Sequence, residues 1–311
     1  MKPTYLKGDY KKSAAFDNQS RLVYGTAAIG GVWGSVDEAE SIDAVLYALE
    51  NGISVLDTAP SYSNAEIYVG KALNEWKGSI PFISTKVGRL RGKDAFETKL
   101  DYSTEGMKRS LHNSLEVLRI DKIDLLFLHE PQLVPMDNIE EILNTLKTFK
   151  QQGLVKSLGV GGNPTQAFMP YVTKENFEVA SGFLRMNACN LSVFRGEMQQ
   201  YQNEQIKYYA ASPLHFGLLG NRFEKFKNEG ADGEWITEQD LNNAIKVKAI
   251  ADKNNISLST LCQQYLFSVK EADRVVVGAR NISQIKSTVA DWNLGKLSEF
   301  LFDKITNLII Q

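Results

Sequence analysis

Residues 53–86 read ISVLDTAPSYSNAEIYVGKALNEWKGSIPFISTK and contain two short apolar runs with a helix-like segment between them. The first run ends at Asp57, and the second ends at Lys86. Asn64 is a residue type that caps helices, so a helix is predicted from there to about Trp76. A strand, a helix and a second strand in this order predict two parallel strands joined by a crossover.

The same alternation continues along the chain and predicts eight strands. The candidates are 21–24, 53–57, 81–86, 123–128, 155–160, 177–180, 206–211 and 274–277. Helices are predicted at 37–50, 64–76, 103–118, 139–151, 166–172, 239–253 and 257–268, and from Asn281 or Ser283 to about Trp292. This pattern favours an α/β fold, a (β/α)8 TIM barrel, over a doubly wound sheet. No G-x-G-x-x-G motif follows the first strand.

The absence of a linker predicts how the chain is divided into domains. No Pro- or Ser-rich stretch divides the chain, so residues 1–311 are predicted to form a single domain. Residues 1–20 are an N-terminal extension, 217–238 a long irregular loop and 296–311 a C-terminal helix in this prediction. The oligomeric state stays open.

Composition and charge describe an ordinary globular chain. Of 311 residues, 43% are hydrophobic and 23% are charged, and the formal net charge is −2. A charge this small argues against a nucleic-acid or anionic-lipid surface. No run approaches the roughly 18 apolar residues of a membrane span, and residues 1–10 lack the core of a signal peptide. Cys189 and Cys262 have no metal-ligand spacing. We expect a cytoplasmic protein with a small-molecule substrate and no metal, nucleic-acid or membrane partner.

Four polar residues at the ends of three apolar runs set the functional prediction. They are Asp57, Tyr62, Lys86 and His129. Because barrel active sites lie at the carboxyl ends of the strands, we expect these side chains to converge on one rim. Each has an ordinary explanation alone, such as a turn residue at Asp57 or a partly buried histidine at His129. Their joint position is the stronger signal.

These four side chains suit proton transfer at an alcohol or carbonyl oxygen. A free tyrosine has a pKa of about 10, and a nearby ammonium such as that of Lys86 favours the phenolate. Asp57 can pair with Lys86, and His129 can donate a hydrogen bond to the substrate oxygen or relay a proton. General acid–base chemistry of this kind leaves hydride transfer to a cofactor.

The residues around this tetrad resemble the aldo-keto reductase family. Residues 57–66 match D-T-A-x-x-Y-x-x-[SA]-E, while residues 84–86 and 128–129 match the lysine and histidine segments of the family. The resemblance covers almost the whole chain. It implies a (β/α)8 barrel, a nicotinamide cofactor and a catalytic tetrad in which Tyr62 is the acid–base residue.

Three further segments are similar to sugar 1-dehydrogenases of that family. They are DYS at 101–103, RSLHNSL at 109–115 and SPLHFGLL at 212–219. This similarity implies oxidation of the anomeric carbon of an aldose, of the L-galactose, L-fucose, D-arabinose or D-threo-aldose type, to a lactone. The alternatives are a general aldehyde or ketone reductase, a Schiff-base aldolase that uses Lys86, and a nucleotide-binding subunit without turnover.

The resemblance also implies positions for the cofactor and the substrate. Those expected to face the adenosine phosphates are Gly278, Arg280 and Gln284, and those expected along the pyrophosphate are Ser212 and Leu214. Asn163 is expected near the nicotinamide carboxamide, and Trp33 is expected to line the substrate pocket. The family position that binds the 2′-phosphate aligns with Gly278, so the choice between NAD and NADP stays open.

The chain also departs from the family pattern near the cofactor. Ala211 stands where many members place an aromatic residue under the nicotinamide, and Thr288 stands where an asparagine binds adenine. Asn187 and Asn190 are candidates for a family glutamine. His215 is a further candidate for a phosphate contact.

Overall fold

Eight parallel strands form a closed barrel in the computed structural model, which describes residues 1–16, 18–93, 97 and 99–310. We number the barrel strands β1 to β8 in chain order. Their bounds are Leu22–Gly25, Val55–Asp57, Phe82–Val87, Ile123–His129, Val155–Gly161, Val179–Phe183, Lys207–Ala211 and Arg274–Gly278. Each strand pairs with its neighbours in sequence, and β8 pairs with β1 to close the barrel. The predicted (β/α)8 barrel is confirmed.

In the described part of the chain, ten α-helices accompany the strands. Their bounds are α1 Glu38–Glu50, α2 Ala65–Glu75, α3 Thr104–Leu118, α4 Ile139–Gln151, α5 Glu197–Asn203, α6 Phe223–Glu229, α7 Glu238–Lys253, α8 Leu258–Phe267, α9 Ile282–Leu294 and α10 Glu299–Ile310. Side-chain caps start several of them, as at Ser103, whose hydroxyl accepts from the N–H of Gly106. Asn64 precedes α2 without such a bond, because its amide donates to Tyr68 and accepts from Arg91 instead.

Strand register brings the ends of β2, β3 and β4 to the same rim. Asp57 is opposite Ser84, and Lys86 is opposite Phe127. The barrel interior is filled by apolar and aromatic side chains, as is usual for this fold. They are Val23, Val55, Phe82, Leu125, Phe127, Val179, Tyr209 and Val276. Since the interior is packed, polar chemistry is confined to the rim.

A hairpin within residues 1–20, the predicted N-terminal extension, packs against aromatic residues of the barrel interior; the sequence analysis did not predict the hairpin. Its strands are Lys12–Ser13 and Gln19–Ser20. Phe16 in the turn packs edge-on against Phe82 and Tyr209. The guanidinium of Arg274 lies over the Phe16 ring. This contact involves the start of β8, at the end of the barrel away from His129.

Two predictions of local structure were wrong. The helix predicted at 166–172 is only a 3-10 turn at Met169–Tyr171, because Pro170 has no N–H to continue an α-helix. The segment 217–238 is not wholly irregular, since it contains α6, which buries Phe223 and Phe226. Helix α5 was not predicted at all. Among the residues that the structure describes, no helix is both long and apolar enough to cross a membrane.

Candidate active site

The barrel brings the four predicted residues together at its carboxyl rim. Asp57 ends β2, Lys86 lies one residue before the end of β3, and His129 ends β4. Tyr62 lies in the short loop between β2 and α2. A Cβ atom on Gly30 would lie 1.9 Å from the carbonyl oxygen of Tyr62, so only glycine allows the loop after β1 to pack against the Tyr62 loop.

Asp57 and Lys86 form a buried ion pair with several hydrogen bonds. Lys86 Nζ lies 2.8 and 2.7 Å from the two carboxylate oxygens of Asp57 and 2.9 Å from the carbonyl oxygen of Thr58. The exposed fractions are 5% for Lys86 and 7% for Asp57. Burial acts to lower the pKa of Lys86, but Asp57 and Tyr62 outweigh it, so that the pKa is raised. Lys86 is therefore a fixed cation at neutral pH.

Tyr62 lies directly beside that cation. The distance from Lys86 Nζ to the centre of the Tyr62 ring is 4.9 Å. Burial raises the pKa of Tyr62 above its usual value, and the charge of Lys86 opposes this rise. The phenol is thus protonated at neutral pH and can give its proton to an oxygen atom, while Lys86 eases formation of the phenolate.

His129 is a neutral imidazole next to the phenol. Its ring packs edge-on to Tyr62, with ring centres 6.0 Å apart and an angle of 86° between the planes. Burial, followed by the charges of Lys86 and Arg89, holds the pKa of His129 well below its usual value. Its Nδ1 atom lies 3.4 Å from the Ser61 hydroxyl. A neutral ring has one N–H to donate to a substrate oxygen.

A second layer of residues orients His129, and the sequence analysis did not identify it. Tyr102 donates from its hydroxyl to the carbonyl oxygen of His129 at 2.7 Å. Arg89 forms a half-buried ion pair with Glu130, the residue after His129. Arg89 is a charged residue just after an apolar strand, as Lys86 is a charged residue at the end of one. The same sequence signal could therefore have identified Arg89.

Glu66, the last residue of the matched motif, is a buried carboxyl group behind the tetrad. It is 4% exposed and accepts a 2.6 Å hydrogen bond from the Thr85 hydroxyl. Burial raises the pKa of Glu66 from 4.5 to about 7, against the hydrogen bond from Thr85. The protonated form is thus favoured by folding.

This raised pKa predicts a loss of stability as the pH rises from about 4.5 to about 7. The contribution of Glu66 is fully present below its unfolded pKa and is lost as the pH rises through about 7. The Glu66→Gln variant keeps an acceptor for Thr85 but cannot ionise. Between about pH 5 and pH 8, the free energy of unfolding of the parent should fall relative to the variant, by up to about 3 kcal/mol. The free energies of unfolding are measured by urea titration at each pH. A difference between parent and variant that does not change with pH would show that the pKa of Glu66 is the same in the folded and unfolded states.

The residues predicted to face the adenosine phosphates lie at the end of β8 and the start of α9. Gly278 is exposed, and the nearest atom to a Cβ built there is 3.9 Å away. Arg280 donates from Nη2 to the carbonyl oxygen of Ser35 at 2.7 Å. Gln284 accepts from the N–H of Arg280 at 2.8 Å. Arg280 therefore joins this turn to the loop after β1.

The remaining predicted contacts lie on other loops of the same rim. Asn163 donates to the carbonyl oxygen and accepts from the N–H of Phe183, which leaves one amide hydrogen for a ligand. Ser212 has a φ of 64°, and Leu214 is half-buried. Trp33 is 47% exposed and packs edge-on against Phe216.

Two residues predicted as possible cofactor contacts are buried among other side chains instead. His215 is 1% exposed and faces Asn187 and Asp240, so it is not in a position to touch a phosphate. Asn187 is fully buried and accepts from the N–H groups of Cys189 and Asn190. Both residues therefore support the structure beneath the rim.

The family model described as the aldo/keto reductase family matches residues 21–310. The chain belongs to the aldo/keto reductase family. It is therefore an NAD(P)-dependent oxidoreductase.

Several relatives of this aldo/keto reductase carry names that refer to sugars. The chain is 28% identical to D-arabinose 1-dehydrogenase of Saccharomyces cerevisiae, over 89% of this chain and 84% of the relative. It is 28% identical to L-galactose dehydrogenase of Arabidopsis thaliana, over 87% and 83%. Among solved structures, the glycerol dehydrogenase of Gluconobacter oxydans aligns with a TM-score of 0.78 at 23% identity, over 97% and 96%, which supports the fold.

The rim of this aldo/keto reductase fits a nicotinamide nucleotide. In the described part of the chain, the N–H groups of Ile282 and Ser283 at the start of α9 make no hydrogen bond. Free N–H groups at a helix start bind phosphate. The Arg280 guanidinium, the Ser212 hydroxyl and the spare amide hydrogen of Asn163 are further donors on this rim that would be available to a bound nucleotide.

Proposed function

We propose that this aldo/keto reductase oxidises the anomeric hydroxyl group of an aldose to a lactone. The observation that carries the proposal is the contact of Tyr62 with the buried Lys86–Asp57 pair, beside a neutral His129. The sugar is proposed from the relatives that are named D-arabinose and L-galactose dehydrogenases. A bound nicotinamide nucleotide would supply the hydride acceptor.

In this proposal each member of the tetrad has a separate task. Tyr62 takes the proton of the anomeric hydroxyl group during oxidation and returns it during reduction. Lys86 stabilises the phenolate of Tyr62, and Asp57 holds the ammonium in place. His129 donates a hydrogen bond to the reacting oxygen and orients it. Since the pKa of Tyr62 is raised, oxidation should rise with pH in the alkaline range, while reduction should decline there.

The aldolase alternative is disfavoured by the surroundings of Lys86. A Schiff base requires a neutral amine with a free lone pair. Lys86 instead donates to both oxygens of Asp57 and to the carbonyl of Thr58, and its pKa is raised. The amine is thus held as an ammonium.

A substrate screen tests the proposed function. The purified protein is mixed with NAD or NADP and a panel of aldoses, and the absorbance of the reduced nucleotide is followed. We expect reduction with at least one aldose and formation of the matching lactone. A parallel panel of aldehydes and ketones with reduced nucleotide tests the general reductase. Turnover in that panel alone would replace the sugar dehydrogenase by that reductase.

Arg280 is proposed to set any preference for NADP. Its guanidinium now donates to Ser35 O and could instead bind a 2′-phosphate. If the protein binds NADP, Arg280→Ala should weaken that binding by roughly 1.5–3 kcal/mol, with a much smaller loss for NAD. Quenching of the four tryptophans reports both affinities.

Lys286→Ala is a matched control for Arg280→Ala, because Lys286 is a cation of α9 that lies over the Tyr47 ring. It should leave both affinities unchanged. If Arg280→Ala weakens the binding of NAD and NADP equally, Arg280 contacts a part of the nucleotide that both share. No loss for either would remove it from the cofactor site.

A further inference from the structure

The loop after β7 has an unusual backbone. Ser212, His215 and Phe216 have φ values of 64°, 44° and 53°, in the left-handed region that residues other than glycine rarely adopt. This loop includes Ser212 and Leu214, which the proposed function places along the pyrophosphate. A disfavoured backbone of this kind persists only where surrounding contacts hold it.

The buried ring of His215 makes two of the contacts that hold the loop. Its Nδ1 atom lies 2.9 Å from Nδ2 of Asn187, which follows β6. Its Nε2 atom lies 3.5 Å from a carboxylate oxygen of Asp240, in the first turn of α7. His215 therefore ties the loop to two other parts of the chain.

The proton position on His215 follows from Asn187. The Oδ1 atom of Asn187 accepts from the N–H groups of Cys189 and Asn190, each at 3.0 Å, and lies 3.2 Å from the Cys189 thiol. The amide orientation is thus fixed, and its Nδ2 atom must donate to His215. An Nδ1 atom that accepts carries no proton. The proton of the neutral ring is therefore on Nε2, facing Asp240.

Asp240 is held as firmly as Asn187. One carboxylate oxygen accepts from the Asn190 amide at 2.8 Å, and the other accepts from the N–H and hydroxyl groups of Thr237. The two partners of His215 are fixed on both sides of the ring. Rotation of the ring would break both contacts at once.

We propose that His215 is a positioning residue for the nucleotide. In its Nε2–H form, held between Asn187 and Asp240, it keeps the loop 212–217 in the shape that receives the pyrophosphate. This inference rests on the proposed placement of the nucleotide along Ser212 and Leu214. It assigns a task to a histidine that touches neither the nucleotide nor the reacting atoms.

A metal site is the competing interpretation of the same cluster. Cys189, His215 and Asp240 have ligand atoms within 4.8 Å of one another. Metals bind the thiolate, however, and burial raises the pKa of Cys189 well above its usual value. The thiol of Cys189 also has a partner in Asn187 Oδ1. These contacts favour a hydrogen-bond network over a metal site.

The proton position can be read by nuclear magnetic resonance. The chain has only three histidines, so long-range ¹H–¹⁵N spectra of the rings are simple, and the His215→Gln variant identifies the signals of His215. We expect the Nε2–H form at neutral pH, with and without nucleotide. An Nδ1–H form or a doubly protonated ring would overturn the proposal, as would stoichiometric zinc in the purified protein.

Nucleotide binding tests the positioning role. His215→Leu should raise the nucleotide dissociation constant roughly three- to tenfold, the effect of losing the neutral hydrogen bond from Asn187. His215→Gln, which retains a donor for Asp240, should lie between the parent and His215→Leu. In turnover, KM for the nucleotide should rise in parallel, while kcat at saturating nucleotide stays near that of the parent.

Tyr265→Phe is the matched control for stability. It also removes one buried neutral hydrogen bond, to Thr306 at 2.8 Å, far from the rim on α8. It should lower the melting temperature comparably without changing nucleotide affinity. Equal affinity in the parent and in His215→Leu would refute the positioning role. A parent that binds no nucleotide would instead refute the proposed cofactor site, and the proton position would still be measurable.

Discussion

Tyr62→Phe is expected to lower turnover by roughly 10²–10⁴-fold, the usual weight of general acid–base catalysis. The ring and its contact with His129 are retained, while the hydroxyl group that exchanges the proton is lost. Nucleotide affinity, measured by quenching of tryptophan fluorescence, should stay near that of the parent. The change should therefore appear in kcat with little change in nucleotide binding.

Tyr68→Phe is the control for this variant, because Tyr68 lies on α2 nearby and its hydroxyl group accepts a hydrogen bond from the Asn64 amide. It should retain nearly full turnover. If Tyr62→Phe also retains it, Tyr62 is not the acid–base residue and the tetrad has another purpose.

Lys86→Met should reduce both stability and activity. It leaves the carboxylate of Asp57 buried without its partner, which typically costs about 3–5 kcal/mol of the free energy of unfolding. It also removes the charge that opposes the rise of the Tyr62 pKa. The pH at which oxidation develops should therefore move upward, or out of the accessible range.

The double variant Asp57→Asn, Lys86→Met separates the two effects. It removes the buried charge that Lys86→Met leaves behind, so that it should be more stable than the single variant in urea titrations. It should remain as inactive as the single variant. A pH profile that is the same in the parent and in Lys86→Met would remove Lys86 from the mechanism.

The barrel and the tetrad could be predicted because their signals are local. Each strand is a short apolar run, and parallel strands in a barrel share one rim, so that Asp57, Lys86 and His129 had to meet if the runs were strands. The hairpin at 12–20 could not be predicted in this way. Its place depends on packing of Phe16 against Phe82 and Tyr209, which are distant in sequence.

The support of the cofactor loops was also beyond the sequence. Arg280 bonds to Ser35, which is 245 positions away. His215 was expected near a phosphate, but Asn187 and Asp240 hold its ring beneath the loop. A motif fixes which loop a residue is on, and the direction of its side chain depends on buried polar partners that the motif does not include.

The most direct test of the proposed reaction uses an aldose with deuterium at its anomeric carbon. The sugar is one that the screen has identified, and the rate of nucleotide reduction is compared with that of the unlabelled sugar. We predict slower reduction with the labelled sugar, and a lactone that has lost the deuterium. Oxidation that leaves the deuterium on the sugar, or no reduction of either nucleotide with any aldose, would contradict the account.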